Sequence, residues 1–480
     1  MDLFNKLGNA VKSLLRNKRN CVLIAAILLL FVLLLIIACA RSAVSEITLY
    51  YSPAESGAVL FKGDDRMSHV IPGRSVAAVK YSGDKSSCAV LMSEGSSYTL
   101  YFANGNHYKK IAANCTNSFV ISYSGESVIF LNSEGKMSRY TAKRNRVTVI
   151  DENIRSFSLS PDGKTVLYSK NEGGAEKLYL NSGSASVLVS SNYTPLAVSD
   201  DAAYIYVLSA DKSLCVLDKA GEMKAKLCSD ADDSWFFFSA DMSDVVFTDG
   251  AYTYVSHEGK SRIRLAPEKA SPVADGDFTA CNSDQSSRIC ASGDLTDSYY
   301  AVSDANGNHT LFFITEEHQR VNAAENANEY ILLEKGRLVF KTSEGKVYSC
   351  KKGESTLLFD GAASIQASSD GKYIYYKTIA SDLQVYHRGK IKKLASGVRS
   401  IYMTSWDELL FVLNDLRLYS VSKMRNAELM DENVYSCLCT DGAAFYCKNY
   451  NAQTGVFDLY SAEKKNRFSL EAEGMAWILP

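Results

Sequence analysis

From about Glu46 to the C-terminus, apolar and polar residues alternate in short runs broken by small polar turns, and helical spacing is almost missing. The stretch Phe157 to Lys170, FSLSPDGKTVLYSK, shows the pattern. Phe157 and Leu159 point one way, Ser156 and Ser158 the other, and Val166 and Tyr168 resume the alternation after the turn. Period two predicts two strands, at least half-buried. In Ser160-Pro161-Asp162-Gly163 the proline suits the φ of roughly −65° that a type I turn needs, and Gly163 supplies the positive φ of a G1-bulge hairpin. A close copy returns over Ile365 to Thr378, IQASSDGKYIYYKT, and Thr440-Asp441-Gly442 repeats the turn with different flanks.

Weaker copies centre on Asp84, Gly125, Asp200, Asp241 and Asp407. From Asp84 through Gly125, Asp162 and Asp200 to Asp241 the steps are 41, 37, 38 and 41 residues, and from Asp370 through Asp407 to Asp441 they are 37 and 34. Each centre is followed by an apolar strand, then a third such as KLYLNS or LQVYHRG, then a fourth such as RVTVID or KIKKLAS. Four short strands per roughly forty residues is the unit of a β-propeller blade. About ten such repeats fit between Ser75 and Glu473, one of them enlarged by an insertion near 271–327. The end, EGMAWILP, reads as a lone strand, and the start, ITLYYS, AVLFKG and SHVI, as three strands lacking a first. The two ends are therefore expected to complete one sheet together. Common propellers have roughly 4–8 blades, so the alternatives are one large ring, two smaller rings, or repeats that are not blades. No Pro/Gly/Ser-rich linker marks a midpoint, which favours a continuous array.

The strings built on Asp162-Gly163-Lys164 and Asp370-Gly371-Lys372 resemble the TolB-type, WD-like propeller repeat, over most of the chain after residue 45. The resemblance implies an all-β propeller of four-stranded blades. The Trp-Asp dipeptide that ends WD repeats is absent at those ends, and Trp406-Asp407 falls in a turn instead. If the two strongest hairpins are copies of one structural device, valine at Gly163 and at Gly371 should act alike, and Asp162→Asn should be mild.

Composition agrees with a folded β protein. The chain is 46% hydrophobic and 22% charged, and its 29 tyrosines cluster in strands such as Tyr373-Ile374-Tyr375-Tyr376. Seven prolines and no long polar tract argue against disorder.

The N-terminus reads differently. Residues 21–40, CVLIAAILLLFVLLLIIACA, form twenty uncharged positions, fourteen of them Val, Leu, Ile or Phe. As a helix this run spans about 30 Å, the thickness of the hydrocarbon core, and its insertion is favoured by about 4–8 kcal/mol. Lys6, Lys12, Arg16, Lys18 and Arg19 precede it and only Arg41 follows closely. The positive-inside bias then predicts a single-pass signal anchor in a cell membrane, with residues 1–20 cytoplasmic and residues 41–480 outside, and a bacterial envelope is the expected setting. Ile36-Ile37-Ala38-Cys39 resembles a lipobox, which would make Cys39 a lipidated N-terminus; the long basic leader and long apolar run favour the retained anchor. The leader itself admits two readings. Leu3, Leu7, Val11 and Leu14 lie on one helical face, suited to anionic lipid, or the segment is loosely ordered.

Without the leader's five cations and Asp2, the chain keeps 47 basic and 53 acidic residues, a net of −6. That argues against nucleic acid as a partner, and against anionic polymers held by overall charge alone. Runs such as Lys143-Arg144-Asn145-Arg146 and Lys390-Ile391-Lys392-Lys393 fall on third or fourth strands and read as solubilising. Ten of the twelve cysteines lie outside the apolar run. A two-residue turn at Asp441-Gly442 puts Cys437 opposite Tyr446 and Cys447 opposite Ser436, on different faces, so these cannot bridge. Cys215 and Cys228 are expected to share a face diagonally, and Cys281 with Cys290 is the best candidate pair.

No chemistry is recognisable. Gly-x-Ser-x-Gly, His-Glu-x-x-His and Cys-x-x-Cys are missing, and Cys437-x-Cys439 has no histidine nearby. His69, His107, His257, His309, His318 and His387 are scattered and read as surface or turn residues. Asp304 to Asn308 has oxygen ligands at calcium-like spacing, but Thr315 stands where an EF-hand needs its twelfth-position acid. The Asp-box of sialidase propellers fails on glycine register at Asp162. No catalytic, cofactor-binding or metal residue is assigned, and no cofactor is implied. Two functions remain: a non-catalytic binding or scaffolding module for a protein, peptide or glycan on the propeller face, or an exported glycosidase-like hydrolase with carboxylates in a central channel.

Overall fold

The computed structural model describes residues 47–479 apart from short stretches, the longest being 52–57, 267–270, 274–278, 281–286, 291–297 and 463–468. The leader, the apolar run with Cys39, Cys281, and Asp304 to Gly307 lie outside the described residues. The structure is all-β among those residues, with nine sheets. Two are seven-stranded, and each turns on one long strand, His107–Ile121 or Arg320–Leu333, which closes one four-stranded module and opens the next. Divided there, the sheets make eleven antiparallel modules in chain order. Ten lie between Ser75 and Glu473, as the repeats predicted, and the seventh carries the insertion between its first strand, Ser271–Val273, and its second, Ser298–Ser303. Within that insertion Ser287–Cys290 pairs in parallel with Phe236–Ser239, the first strand of the sixth module.

The remaining module joins the chain ends. Trp477–Leu479 pairs antiparallel with Ile47–Tyr51, in register Leu49 to Leu479, Tyr50 to Ile478 and Tyr51 to Trp477. This is the sheet that the orphan strands at the two termini predicted.

The opening hairpin forms as its alternation dictates. Phe157 faces Tyr168 and Leu159 faces Val166. All four enter one cluster with Val120, Ile129, Leu131 and Met137 of the third module. On the opposite face Leu167 and Leu178 pack on Val198, Ile205 and Val207 of the fifth. The middle strands are thus buried on both sides, and each consecutive pair of modules from the terminal one to the eleventh shares such a cluster. That continuity is what the missing linker implied. Fourth strands are exposed, as Arg146–Glu152 and Lys390–Ala395 show, which suits their cationic composition.

Cysteine register divides the expectations. Cys437 faces Tyr446 and Cys447 faces Ser436, as the turn required. Cys215 and Cys228 do not share a face. Leu227 bulges out of the ladder, so Cys228 pairs with Leu214 while Cys215 pairs with Lys226. The two thiols then fall in different clusters, and both are free.

Candidate functional site

The turn after the first strand in the second to sixth and the ninth modules is a repeated hydrogen-bonding device, and its anchor is a buried serine. In the fourth module Ser160 Oγ accepts from the Thr165 N–H at 3.0 Å and donates to Asp162 Oδ1 at 2.8 Å. Gly163, at φ 76°, donates its N–H to the Ser160 carbonyl at 2.9 Å. The serine-to-backbone bond recurs at Ser82, Ser122, Ser199, Ser239 and Ser368. Asp201, Asp241 and Asp370 repeat the acceptor role of Asp162. Hydroxyl and carboxylate together satisfy turn donors that the sheet would otherwise bury.

Successive turns also touch. The Gly83 N–H donates to the Tyr123 carbonyl at 2.8 Å and the Ser124 N–H to the Pro161 carbonyl at 2.9 Å. Asp200 Oδ1 accepts from the Asp162 N–H at 2.8 Å, and Asp407 Oδ1 accepts in the same way from Ser369 at 2.7 Å. Tyr123 reaches the cluster between the fifth and sixth modules, so turns of non-adjacent modules converge.

Convergence brings Asp162 and Asp200 side by side, which is where paired-carboxylate chemistry would have to be sought. Burial raises the pKa of Asp200, and the Asp162 charge adds to that against the bond from the Asp162 N–H. Burial also opposes ionisation of Asp162, but Lys164, its own N–H contacts and the Ser160 hydroxyl outweigh it and hold the carboxyl below its usual range. The two groups are shifted in opposite directions, yet their oxygens are engaged by each other, by the Ser160 hydroxyl, by turn backbone and by Lys164. A glycosidase pair faces a bound sugar across roughly 5–10 Å.

A second contact locks modules further along the second strand. Asp151, ending the fourth strand of the third module, accepts from the Tyr168 hydroxyl at 2.7 Å and from Lys170 Nζ at 2.8 Å. Asp431 does the same with Tyr446 at 2.8 Å and Lys448 at 2.6 Å, joining the tenth module to the eleventh. Each tyrosine also stacks on a neighbour, Tyr168 on Tyr179 and Tyr446 on Tyr460.

A concavity lies between the second and third modules. It is a cleft of about 1000 Å³, a size suited to a small ligand. Its floor is aromatic, with the Phe102 and Tyr140 rings 5.2 Å apart. Asn145, held at φ 50°, accepts from Lys109 Nζ at 2.6 Å and from the Tyr140 hydroxyl at 3.1 Å. His107, Lys143 and Glu126 complete the rim. Glu126 is the one carboxylate among the described residues of the lining. Hydroxyl, amide, ammonium and ring edges give the cleft hydrogen-bonding capacity.

Among the described side chains His107, His257, His309 and His387, most behave as turn and surface groups, while His318 and the His69 side chain lie outside the described residues. His257 Nδ1 meets the buried Asp244 carboxylate in a short contact, but its Nε2 faces Glu258 at 3.9 Å rather than a nucleophile. His387 stacks on Tyr373 with centroids 4.4 Å apart. His107 is the exception, since it lines the cleft. No cluster of three or more metal-ligating side chains occurs among the described residues. Burial pushes the Cys88 thiol up to about 12 and raises Cys437 too, so neither is a nucleophile. Sequence reasoning missed the anchoring serines, although Ser or Thr at the first turn position recurs visibly through Thr404.

Fold and sites together define a propeller-like all-β repeat protein built from four-stranded antiparallel modules. No known family profile matches the chain, and no curated protein matches it. Among solved structures it is similar to TolB from Acinetobacter baumannii, at 17% identity and TM-score 0.31, over 47% of this chain and 64% of that one. It is also similar to PorZ, a surface component of the type-IX secretion system of Porphyromonas gingivalis, at 10% identity and TM-score 0.33, over 88% of this chain and 66% of that one. The chain therefore spans just under two thirds of either length. The architecture assigned here rests on the sheets themselves.

Proposed function

We propose that the protein is a membrane-anchored, extracytoplasmic binding module whose cleft between the second and third modules holds a polar ligand, a glycan or a peptide, without transforming it. One observation carries this reading. The cleft combines an aromatic floor with Lys109, Asn145, His107 and Lys143, and among its described residues it offers a single carboxylate, Glu126. Glycosidic chemistry needs two. Anchoring rests on the apolar run 21–40 and the basic leader before it.

Full-length protein in detergent, screened against glycan and peptide panels, should retain a ligand that Lys109→Ala and Asn145→Ala each release at least about tenfold faster, because each removes a bond worth about 1.4 kcal/mol or more. Thermal unfolding should change little for Lys109→Ala, since Lys109 is exposed, whereas Asn145→Ala should also lower stability by about 1–2 kcal/mol, since it places alanine at φ 50° and removes the acceptor of the buried Tyr140 hydroxyl. Protease added to intact cells should remove everything after Arg41. Release of new reducing ends from a bound glycan would overturn the non-catalytic reading, and protection of the ectodomain would overturn the orientation.

A further inference from the structure

The outer strands of the fifth and sixth modules, Met223–Cys228 and Arg262–Ala266, enclose a second, open groove of about 710 Å³. Lys224, Lys226, Lys260 and Arg262 line it, and no carboxylate does among the described residues. Arg264 continues the row on the same strand as Arg262. Several of these cations are braced by rings. Lys224 lies over Tyr204 at 4.6 Å, Arg262 over Tyr254 at 4.5 Å and Arg264 over Tyr252 at 3.4 Å. Arg262 Nη1 also donates to the Leu227 carbonyl at 3.3 Å, tying the two modules together across the groove floor. The acids facing it stand outside the lining. Glu258 bonds Lys260, Asp211 is 4.0 Å from Lys226, and Asp249 acts on Arg262 from behind Tyr254. In an ectodomain of net −6 this is a local concentration of positive charge.

From this juxtaposition we propose that the groove binds an extended polyanionic glycan, one carrying a phosphodiester or uronate charge on each repeat. A trough walled by one sign of charge focuses the field for a long anion. Ring-backed guanidinium and ammonium groups are held in place yet leave an outward face for the ligand. The groove is open and its cations are spread over two strands and a turn, so affinity must come from several weak contacts along a chain rather than from one enclosed anion. This site is separate from the cleft, and its test is indifferent to what the cleft binds.

The test uses full-length protein in neutral detergent with labelled poly(glycerol phosphate) and polygalacturonate, and neutral dextran as control. Binding of at least one polyanion, with no binding of dextran, is expected, and it should weaken steeply with salt. Lys224→Gln/Lys226→Gln should weaken it about tenfold or more and flatten the salt slope by roughly two, one per cation removed. Lys390→Gln/Lys393→Gln, on the exposed fourth strand of the ninth module and outside both the groove and the cleft, should change it less than about twofold, since a pair outside the groove contributes only screened long-range charge. Equal weakening by both variants would show diffuse charge rather than a groove. Displacement of the polymer by millimolar inorganic phosphate would show a discrete anion site, and equal, groove-dependent binding to phosphatidylglycerol vesicles would show a lipid surface. Each of these results, like failure to bind either polymer at low salt, overturns the proposal.

Discussion

Gly163→Val should destabilise the protein by about 3 kcal/mol, the sum of about 1–2 kcal/mol for a β-branched side chain in the left-handed region and about 1–3 kcal/mol for overpacking. Gly163 has φ 76°, and a Cβ built there would lie 2.8 Å from Ser127 Cβ and 2.9 Å from Ser122 Cβ of the preceding module. Those atoms belong to a turn that is itself hydrogen-bonded, so they cannot retreat cheaply. Gly371→Val should cost less, about 1–2 kcal/mol. Its φ is 59°, but the nearest atom is the Leu333 Cδ1 at the end of a flexible side chain. The expectation that the two hairpins respond alike therefore fails: their turns are copies, their neighbours are not. Asp162→Asn should cost under about 1 kcal/mol, because asparagine keeps the oxygen that serves Lys164 N–H and loses mainly an ion pair to a Lys164 that is 74% exposed. Denaturant unfolding of the three variants checks the order, and equal losses at Gly163 and Gly371 would mean that the turns do not touch.

Asp151→Ala should cost about 2 kcal/mol, near the middle of the range for stranding buried partners. Tyr168 is fully buried and its hydroxyl would lose its acceptor. Lys170, whose side chain is 15% exposed, would keep Glu172 and the Tyr179 ring but lose one of its two carboxylates. The same residue sets a pH dependence. Burial opposes ionisation of Asp151, but the bonds from Lys170 and Tyr168 outweigh it and lower its pKa. A carboxyl with a depressed folded-state pKa contributes stability that is present above its unfolded value, about 3.9, and lost as pH falls through the folded value. Wild-type stability should therefore drop below about pH 4 more steeply than that of Asp151→Ala, and the two curves should converge in acid. Parallel curves would show that the contact contributes nothing.

How much the sequence disclosed depended on the range of the contact. Period two and one turn fixed the register of Phe157 against Tyr168 and of Cys437 against Tyr446, because both partners sit within one hairpin. The orphan strands at the two ends could pair only with each other once four strands were required per module. A single bulge at Leu227 was enough to reverse the inference for Cys215 and Cys228, since bulges leave no alternation signal. The cleft and the groove were illegible for a different reason. Lys109 meets Asn145 across 36 positions and Arg262 meets Leu227 across 35, between modules whose relative placement comes from core packing rather than strand pattern. The basic run Lys143-Arg144-Asn145-Arg146 looked uniformly solubilising, yet Asn145 is the residue on which the cleft's bonds converge.

The central structural claim is that the two ends of the folded chain complete one four-stranded module. Tyr50→Cys/Ile478→Cys tests it directly, because Tyr50 and Ile478 are direct partners in the antiparallel pair. Under mild oxidation of purified full-length protein the two cysteines should form an intramolecular disulfide, seen as a linked N- and C-terminal peptide by mass spectrometry, and unfolding should shift to higher denaturant. Linking residues so distant in sequence restricts the unfolded chain by about 4 kcal/mol or more at the upper limit. Cysteines that stay reduced, or that link only between molecules, would contradict the shared terminal sheet and with it the continuous array.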